Sequence, residues 1–260
     1  MKKKNYKNLI QSIKSKIDKV NYKYYENLRD YKSKNKFYSD PVTILDKKIE
    51  KIIKKIIQKN YPNHSIIGEE SRAKITNSKF TWVIDPVDGT KNLIMGLPTW
   101  SNLLGLIKNG DPKLSFANFP ILKKYYMSYD NQSFVFQENK KAKKIFSNKK
   151  ITNLKKAKIA INTFNTVKNK KIFKFMKKFK GLLKITNIDA YNFCLLSEGK
   201  IDILIETGLK KVDFVPLLNL IKNSGAVITD WEGKNNFNKG SILVSANQIL
   251  HKKILQEINK

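Results

Sequence analysis

One cysteine, Cys194, occurs in 260 residues. That excludes an intramolecular disulfide and any zinc site built on a cysteine cluster. Histidine is almost as scarce: His64 and His251 are the only two, and neither sits in a triad-like or zinc-binding context, so activation of water by imidazole has no support. Arg29 and Arg72 are the only arginines, which removes the planar bidentate fork that readers of nucleic-acid bases favour. Acidic residues number 21 against 52 basic ones. No apolar run approaches the roughly 20 residues of a membrane span. The start, Met1-Lys2-Lys3-Lys4-Asn5-Tyr6, is basic but leads into no apolar secretory core, so a cytoplasmic protein is the default expectation.

The formal net charge of +31 invites a polyanion-binding reading. Lysine, however, is spread through nearly every segment. Together with heavy isoleucine and asparagine usage, this reads as compositional bias, informative about solubility and steering rather than fold. An RNA- or ribosome-associated binding protein is kept as the competing class.

With 41% apolar residues the chain can bury a full core in one or two domains. Ile10, Ile13, Ile17 and Val20, then Ile49, Ile52, Ile53, Ile56 and Ile57, recur at helical spacing. Thr43 is placed to cap the second helix, with Asp46 in its first turn. A short strand over 65–67 delivers Gly68-Glu69-Glu70-Ser71. Strands are predicted over 100–107, 114–119, 125–129 and 133–137 as an antiparallel meander. The lysine-rich stretch 140–150 reads as a surface connection, giving an N-terminal α+β half, 1–140, and a C-terminal α/β half, 141–260. In the second half, strands over 158–162, 201–206, 226–229 and 241–244 alternate with helices, including 191–197, a continuous helix over 214–221 and a closing one over 250–258.

Four acids at strand ends and turns suggest one site. Asp85 and Asp88 follow the apolar strand Trp82-Val83-Ile84 on a loop bent by Asp-Pro and Asp-Gly pairs. Glu69 follows a strand and a glycine, and Asp213 begins a helix. Taken singly, each acid could equally cap a helix or turn. Hard oxygen donors of this kind suit Mg²⁺, which keeps waters and substrate phosphate in its other positions. Two such ions about 4 Å apart can clamp the attacking and leaving oxygens of a phosphoryl transfer.

The blocks Gly68-Glu69-Glu70-Ser71, Trp82 to Asn92, and Val212-Asp213-Phe214 with Asn223-Ser224-Gly225-Ala226 resemble the signature elements of the inositol monophosphatase family. Asp40-Pro41-Val42-Thr43 with Asp46 resembles its upstream element. The resemblance spans about residues 36–246. It implies an α+β fold, the layered α-β-α-β-α sandwich of the inositol monophosphatase / fructose-1,6-bisphosphatase superfamily, and a usually dimeric, Mg²⁺-dependent, Li⁺-sensitive phosphomonoesterase with two or three ions. Carried over by position, it makes Glu69, Asp85, the Val87 carbonyl, Asp88 and Asp213 metal ligands. Glu69 and Thr90 would orient the attacking water, with Asp46 hydrogen-bonded to Thr90, and the N–H groups of Gly89 and Thr90 would seat the phosphate. Ile44-Leu45, Val212 and Ala226 depart from the usual family residues, outside the ligand positions.

The segments 96–100, 119–122 and 189–196, and above all the turn Thr229-Asp230-Trp231, resemble the histidinol-phosphatase branch. The implied reaction is hydrolysis of histidinol phosphate in histidine biosynthesis, with inositol-1-monophosphatase or a related sugar- or nucleotide-phosphate monoesterase as the alternative. Glu206 and Asp189 are the candidate contacts to the substrate body, and a helix N-cap is the competing role for Asp189.

Overall fold

The isoleucine spacing buries the helix faces it predicts. In the computed structural model, which describes residues 6–26, 32–33 and 41–260, α1 (Tyr6–Tyr25) buries Leu9, Ile10, Ile13 and Ile17. Helix α2 (Ile44–Asn60) buries Leu45, Ile49, Ile53, Ile56 and Ile57. Asp40, part of the upstream motif, lies outside the described residues. Thr43 caps α2 as expected: its hydroxyl accepts from Leu45 N at 3.1 Å, and Asp46 Oδ2 accepts from Thr43 N at 2.8 Å, a capping box.

A small ribbon pairs β1 (Lys32–Ser33) with β2 (Pro41–Val42). The larger sheet has seven strands in sequential order: β3 (Ser65–Gly68), β4 (Phe80–Asp88), β5 (Ser101–Lys108), β6 (Asp111–Phe119), β7 (Lys124–Tyr129), β8 (Gln132–Gln137) and β9 (Lys143–Lys144). Strand β3 runs parallel to β4, and the rest form the expected antiparallel meander. The smaller sheet has five strands in the order β11-β10-β12-β14-β13, formed by β10 (Ile159–Ile161), β11 (Leu183–Ile185), β12 (Ile203–Glu206), β13 (Val227–Thr229) and β14 (Ile242–Ser245).

Alternation along β5 separates two cores. Leu104 and Leu106 pack toward α1 and α2 with Trp82, Ile84 and Phe116. Leu103 points the other way, into a layer shared with α6 (Ala190–Ser197) and α8 (Leu218–Ser224), which lie between the sheets. Beyond the smaller sheet, α5 (Lys170–Lys178) and α9 (Gln248–Ile258) bury Ile172, Phe175, Leu250 and Ile254 against Ile203, Ile205 and Leu243. The layers therefore read α-β-α-β-α. No described helix is long and apolar enough to cross a membrane.

The helix expected over 214–221 is not continuous. α7 (Lys211–Phe214) gives way to a 3₁₀ turn, Val215–Leu217, before α8 begins. Pro216 has no N–H to donate and its ring crowds the preceding turn, which breaks the ladder there.

His251 of α9 is buried, with Nε2 2.9 Å from Thr229 Oγ1 and Nδ1 3.0 Å from Ser245 Oγ. Burial pushes its pKa down to about 4. The unfolded chain takes up this proton near pH 6.5, so the stability His251 contributes is full above that pH. It is lost as pH falls toward about 4, on the order of 3 kcal/mol in all. Thermal denaturation from pH 7 to pH 4 should show a shallower loss in His251→Gln than in the wild type.

Candidate active site

Strand β4 does not end at Ile84 as its apolar run predicts. It continues to Asp88, pairing Asp85 with Leu103 and Asp88 with Ser101. One more residue stands on β4 than on β5 between those pairs, a bulge that falls at Pro86, which has no N–H for the ladder. Asp85 and Asp88 thus belong to a kinked strand and not to a free loop.

Each acid is tied down on this frame. Asp85 Oδ1 accepts from Val87 N at 3.1 Å. Asp88 Oδ2 accepts from Ser101 Oγ at 3.2 Å and from Ala190 N, at the start of α6, at 3.1 Å. The chain then turns at Gly89, φ 77°, into α3 (Thr90–Ile94). A Cβ on Gly89 would stand 3.0 Å from Asp189 Oδ2, so this position combines a left-handed backbone with a close approach. Thr90 Oγ1 lies 2.9 Å from the Val87 carbonyl and 3.3 Å from Asp46 Oδ1. Asp46 therefore both caps α2 and reaches Thr90, through different oxygens.

Glu69 follows β3, with Oε1 3.1 Å from Lys210 Nζ. Its turn rests on buried Glu50 of α2, whose Oε2 accepts from Glu70 N at 2.8 Å and whose Oε1 accepts from Ser71 Oγ. A Cβ on Gly68 would fall 2.5 Å from the Glu50 carboxyl carbon. Gly68→Ala is accordingly expected to lose about 1–3 kcal/mol of stability by overpacking and to raise the metal concentration needed for activity, by thermal denaturation and metal titration. Asp213 lies in the first turn of α7, where Oδ2 accepts from Lys210 N at 2.6 Å.

Glu206, at the end of β12, is fully buried. Its Oε1 accepts from Asn162 Nδ2 at 2.5 Å, and its Oε2 has no hydrogen-bond partner among the described residues. The same Asn162 amide lies 3.3 Å from Asp189 Oδ1, while Asn162 Oδ1 accepts from Ile188 N at 3.1 Å. Asp189 does not cap α6 with its side chain; its backbone stands at φ 40° and ψ −126°. Asp189 thus keeps the N-cap position of α6 while its carboxylate joins Glu206 in sharing one amide.

Glu69, Asp85, Val87, Asp88, Gly89, Thr90, Asp189, Glu206 and Asp213 all line one open cleft of about 520 Å³. Asp46 lies behind Thr90. The Thr229-Asp230-Trp231 turn is not part of the lining. Asp230 Oδ1 accepts from Glu232 N at 3.0 Å and Lys234 N at 2.7 Å, and Trp231 packs in the outer core with Nε1 on Ile242 O. Its role is to close the β13–β14 connection, so it reports on fold and not on substrate contact.

The electrostatics of the cleft follow from crowding acids out of water. Burial first, then repulsion from Asp88, Glu69, Asp213 and Asp46, holds Asp85 well above the ordinary carboxylate range. Burial and then Asp189 do the same to Asp88. Burial raises Asp213 to about 7, Glu206 to about 8 and Asp46 to about 6, the last against the opposing hydrogen bonds from Thr43. Such a set calls for a compact cation with hard-oxygen preference. Among the described residues no three His, Cys, Asp or Glu side chains close around one metal position. The acids line a cleft instead, as suits Mg²⁺, which takes one or two carboxylates and fills its other positions with water and phosphate oxygen. Zinc ligation is poorly served: Cys194 is in the core, and His64 is stacked between Tyr61 and Phe80.

The inositol monophosphatase family model matches residues 3–260. The chain belongs to the inositol monophosphatase family. Members of this family are phosphomonoesterases, generally Mg²⁺-dependent. The chain is 34% identical over 199 residues to the bifunctional phosphatase IMPL2, chloroplastic, of Arabidopsis thaliana, an alignment covering 75% of this chain and 56% of that protein. It is 25% identical over 225 residues to a histidinol-phosphatase of Mycobacterium tuberculosis, covering 84% and 85%. Other family relatives are named fructose-1,6-bisphosphatase/inositol-1-monophosphatase, inositol-1-monophosphatase and Nus factor SuhB. The solved structure of a Thermotoga maritima IMPase superposes with a TM-score of 0.82 at 24% identity over 97% of each chain. The layered α+β fold is therefore that of the inositol monophosphatase and fructose-1,6-bisphosphatase structures.

Ser101, Asn162 and Glu50 were not singled out by sequence reasoning. Asn162 closes an apolar strand with a polar residue, a signal that could have found it. Ser101 and Glu50 carry none, because their partners are distant in the chain.

Proposed function

We propose that this member of the family hydrolyses histidinol phosphate to histidinol and phosphate. The observation that carries this reading is the buried pair Asp189 and Glu206, linked by Asn162 in the lining of the same cleft. Two carboxylates beyond the phosphate seat suit an alcohol bearing an ammonium and an imidazole, since charge-assisted hydrogen bonds to acids are stronger than neutral ones. The histidinol-phosphatase relative supports the same choice.

In this reading Glu69, Asp85, the Val87 carbonyl, Asp88 and Asp213 hold Mg²⁺. Bound there, the metal supplies charge neutralisation for the phosphoryl group and lowers the pKa of water. The chain's own contribution is placement. Glu69 and Thr90 orient the attacking water: with the Thr90 proton directed at the Val87 carbonyl and Asp46, the hydroxyl's lone pairs are left to accept from it. The N–H groups of Gly89 and Thr90, at the start of α3, hold phosphate oxygens. Ser101 and the α6 backbone keep Asp88 aligned. A homodimer, two or three ions, Li⁺ inhibition and a cytoplasmic setting follow from the family resemblance and the sequence as parts of the same proposal.

Phosphate release should be measured with Mg²⁺ on histidinol phosphate, inositol 1-phosphate and fructose 1,6-bisphosphate. The highest kcat/KM is expected on histidinol phosphate, and a clear preference for inositol 1-phosphate would reject the substrate assignment. That second reading has one observation in its favour: the unpartnered Glu206 Oε2 can accept from a neutral hydroxyl as well as from a cation.

A further inference from the structure

Three asparagines from three distant segments meet in the core behind the Asp85–Asp88 bulge. Asn21 of α1, Asn102 of β5 and Asn118 of β6 are each no more than 1% exposed. Asn102 Oδ1 accepts from Asn21 Nδ2 at 2.8 Å and from Asn118 Nδ2 at 3.1 Å. Asn118 Nδ2 also reaches Asp18 Oδ1 at 2.8 Å, and Lys14 pairs with Asp18. Burying amides is unfavourable unless they are satisfied, and the oxygens of Asn21 and Asn118 have no hydrogen-bond partner among the described residues. A core selected for stability alone would have apolar residues here.

What the cluster secures is the orientation of one side chain. Because both neighbours donate to Asn102 Oδ1, its NH₂ end must face the other way, and it donates to the Pro86 carbonyl at 2.7 Å. The same Pro86–Val87 peptide gives its N–H to Asp85 Oδ1 at 3.1 Å. The peptide plane is therefore pinned on both sides. Rotating it would break the Asn102 and Asp85 bonds together and would swing the Val87 carbonyl, on which Thr90 rests.

We propose that Asn102 is a positioning residue for the metal-binding segment, fixing the Asp85 carboxylate and the Val87 carbonyl through the Pro86–Val87 peptide. The inference rests on the reading that Asp85, Val87 and Asp88 hold Mg²⁺.

The test compares Asn102→Ala with Asn118→Ala, using Asp88→Asn as the control on the site itself. Mg²⁺ and Mn²⁺ binding are read by calorimetry, fold by thermal denaturation, and kcat as a function of Mg²⁺. Asn118→Ala removes an amide from the same cluster but leaves Asn102 held by Asn21. Both alanine variants are expected to lower Tm. Asn102→Ala alone should weaken metal binding, on the order of tenfold, with most of kcat regained at saturating Mg²⁺, while Asn118→Ala stays within about twofold of the wild type. If Asn102→Ala does not fold, Asn102→Ser, which keeps a shorter donor, decides the matter by a loss greater than that of Asn118→Ala. Equal metal affinities in the Asn102 and Asn118 variants would overturn the inference. Undiminished metal binding in Asp88→Asn would instead overturn the site reading on which it rests.

Discussion

Replacing Asp88 by Asn is expected to abolish phosphomonoester hydrolysis while leaving the fold intact. The asparagine oxygen can keep the bonds from Ser101 and Ala190 that Asp88 Oδ2 now accepts, so the backbone has no reason to move. What is lost is one negative charge in the proposed metal set. A fall of roughly three orders of magnitude or more in kcat/KM, about 4 kcal/mol of transition-state stabilisation, is the expected scale. The same substitution should raise Tm in chelator, because Asp88 repels the buried Asp85. Relieving that repulsion favours the metal-free fold. Opposite effects on activity and metal-free stability are characteristic of a site held under electrostatic strain. Near-normal turnover in Asp88→Asn would eliminate the assignment.

The second large effect concerns selectivity. Glu206→Gln and Asp189→Asn keep shape but remove the carboxylates that a bound cation would hold ionised against their burial. For a cationic alcohol the loss of one charge-assisted hydrogen bond should lower kcat/KM by about 10- to 100-fold, corresponding to roughly 1.5–3 kcal/mol. For inositol 1-phosphate the loss should stay within about threefold, since an amide can still bond a hydroxyl. The double variant is then expected to reverse the preference between the two substrates. Phosphate-release kinetics on both decide it, and equal losses would show that the acid pair does not discriminate.

Much of this site was legible because it rests on local chemistry. The Asp-Pro-Val-Asp-Gly-Thr run names its own turn, and Glu69, Asp213 and Glu206 each end an apolar strand or open a helix. Isoleucine spacing likewise exposed the buried faces of α1 and α2, since helical periodicity reports burial directly. What escaped depends on partners far away in the chain. Strand β4 extends past its apolar run because β5 supplies a ladder for Asp85 and Asp88. The proline that breaks 214–221 was visible, but the apolar pattern around it outweighed it. Thr229-Asp230-Trp231 carried a resemblance to relatives and no contact to the cleft, since a turn can be shared for its folding role. Asn21, Asn102 and Asn118 look like ordinary polar positions in their own segments; only the folded core brings their amides together.

The backbone of Asp189 has a wider consequence. A non-glycine residue at φ 40° carries a conformational penalty of order 1–3 kcal/mol, which glycine would relieve. Selection for thermal tolerance would thus favour Asp189→Gly, while selection for an amino-alcohol substrate would oppose it. On the reading proposed above, the chain bears that penalty to keep a second carboxylate beside Glu206, so the more stable Asp189→Gly protein would be one that has given up half of its acid pair.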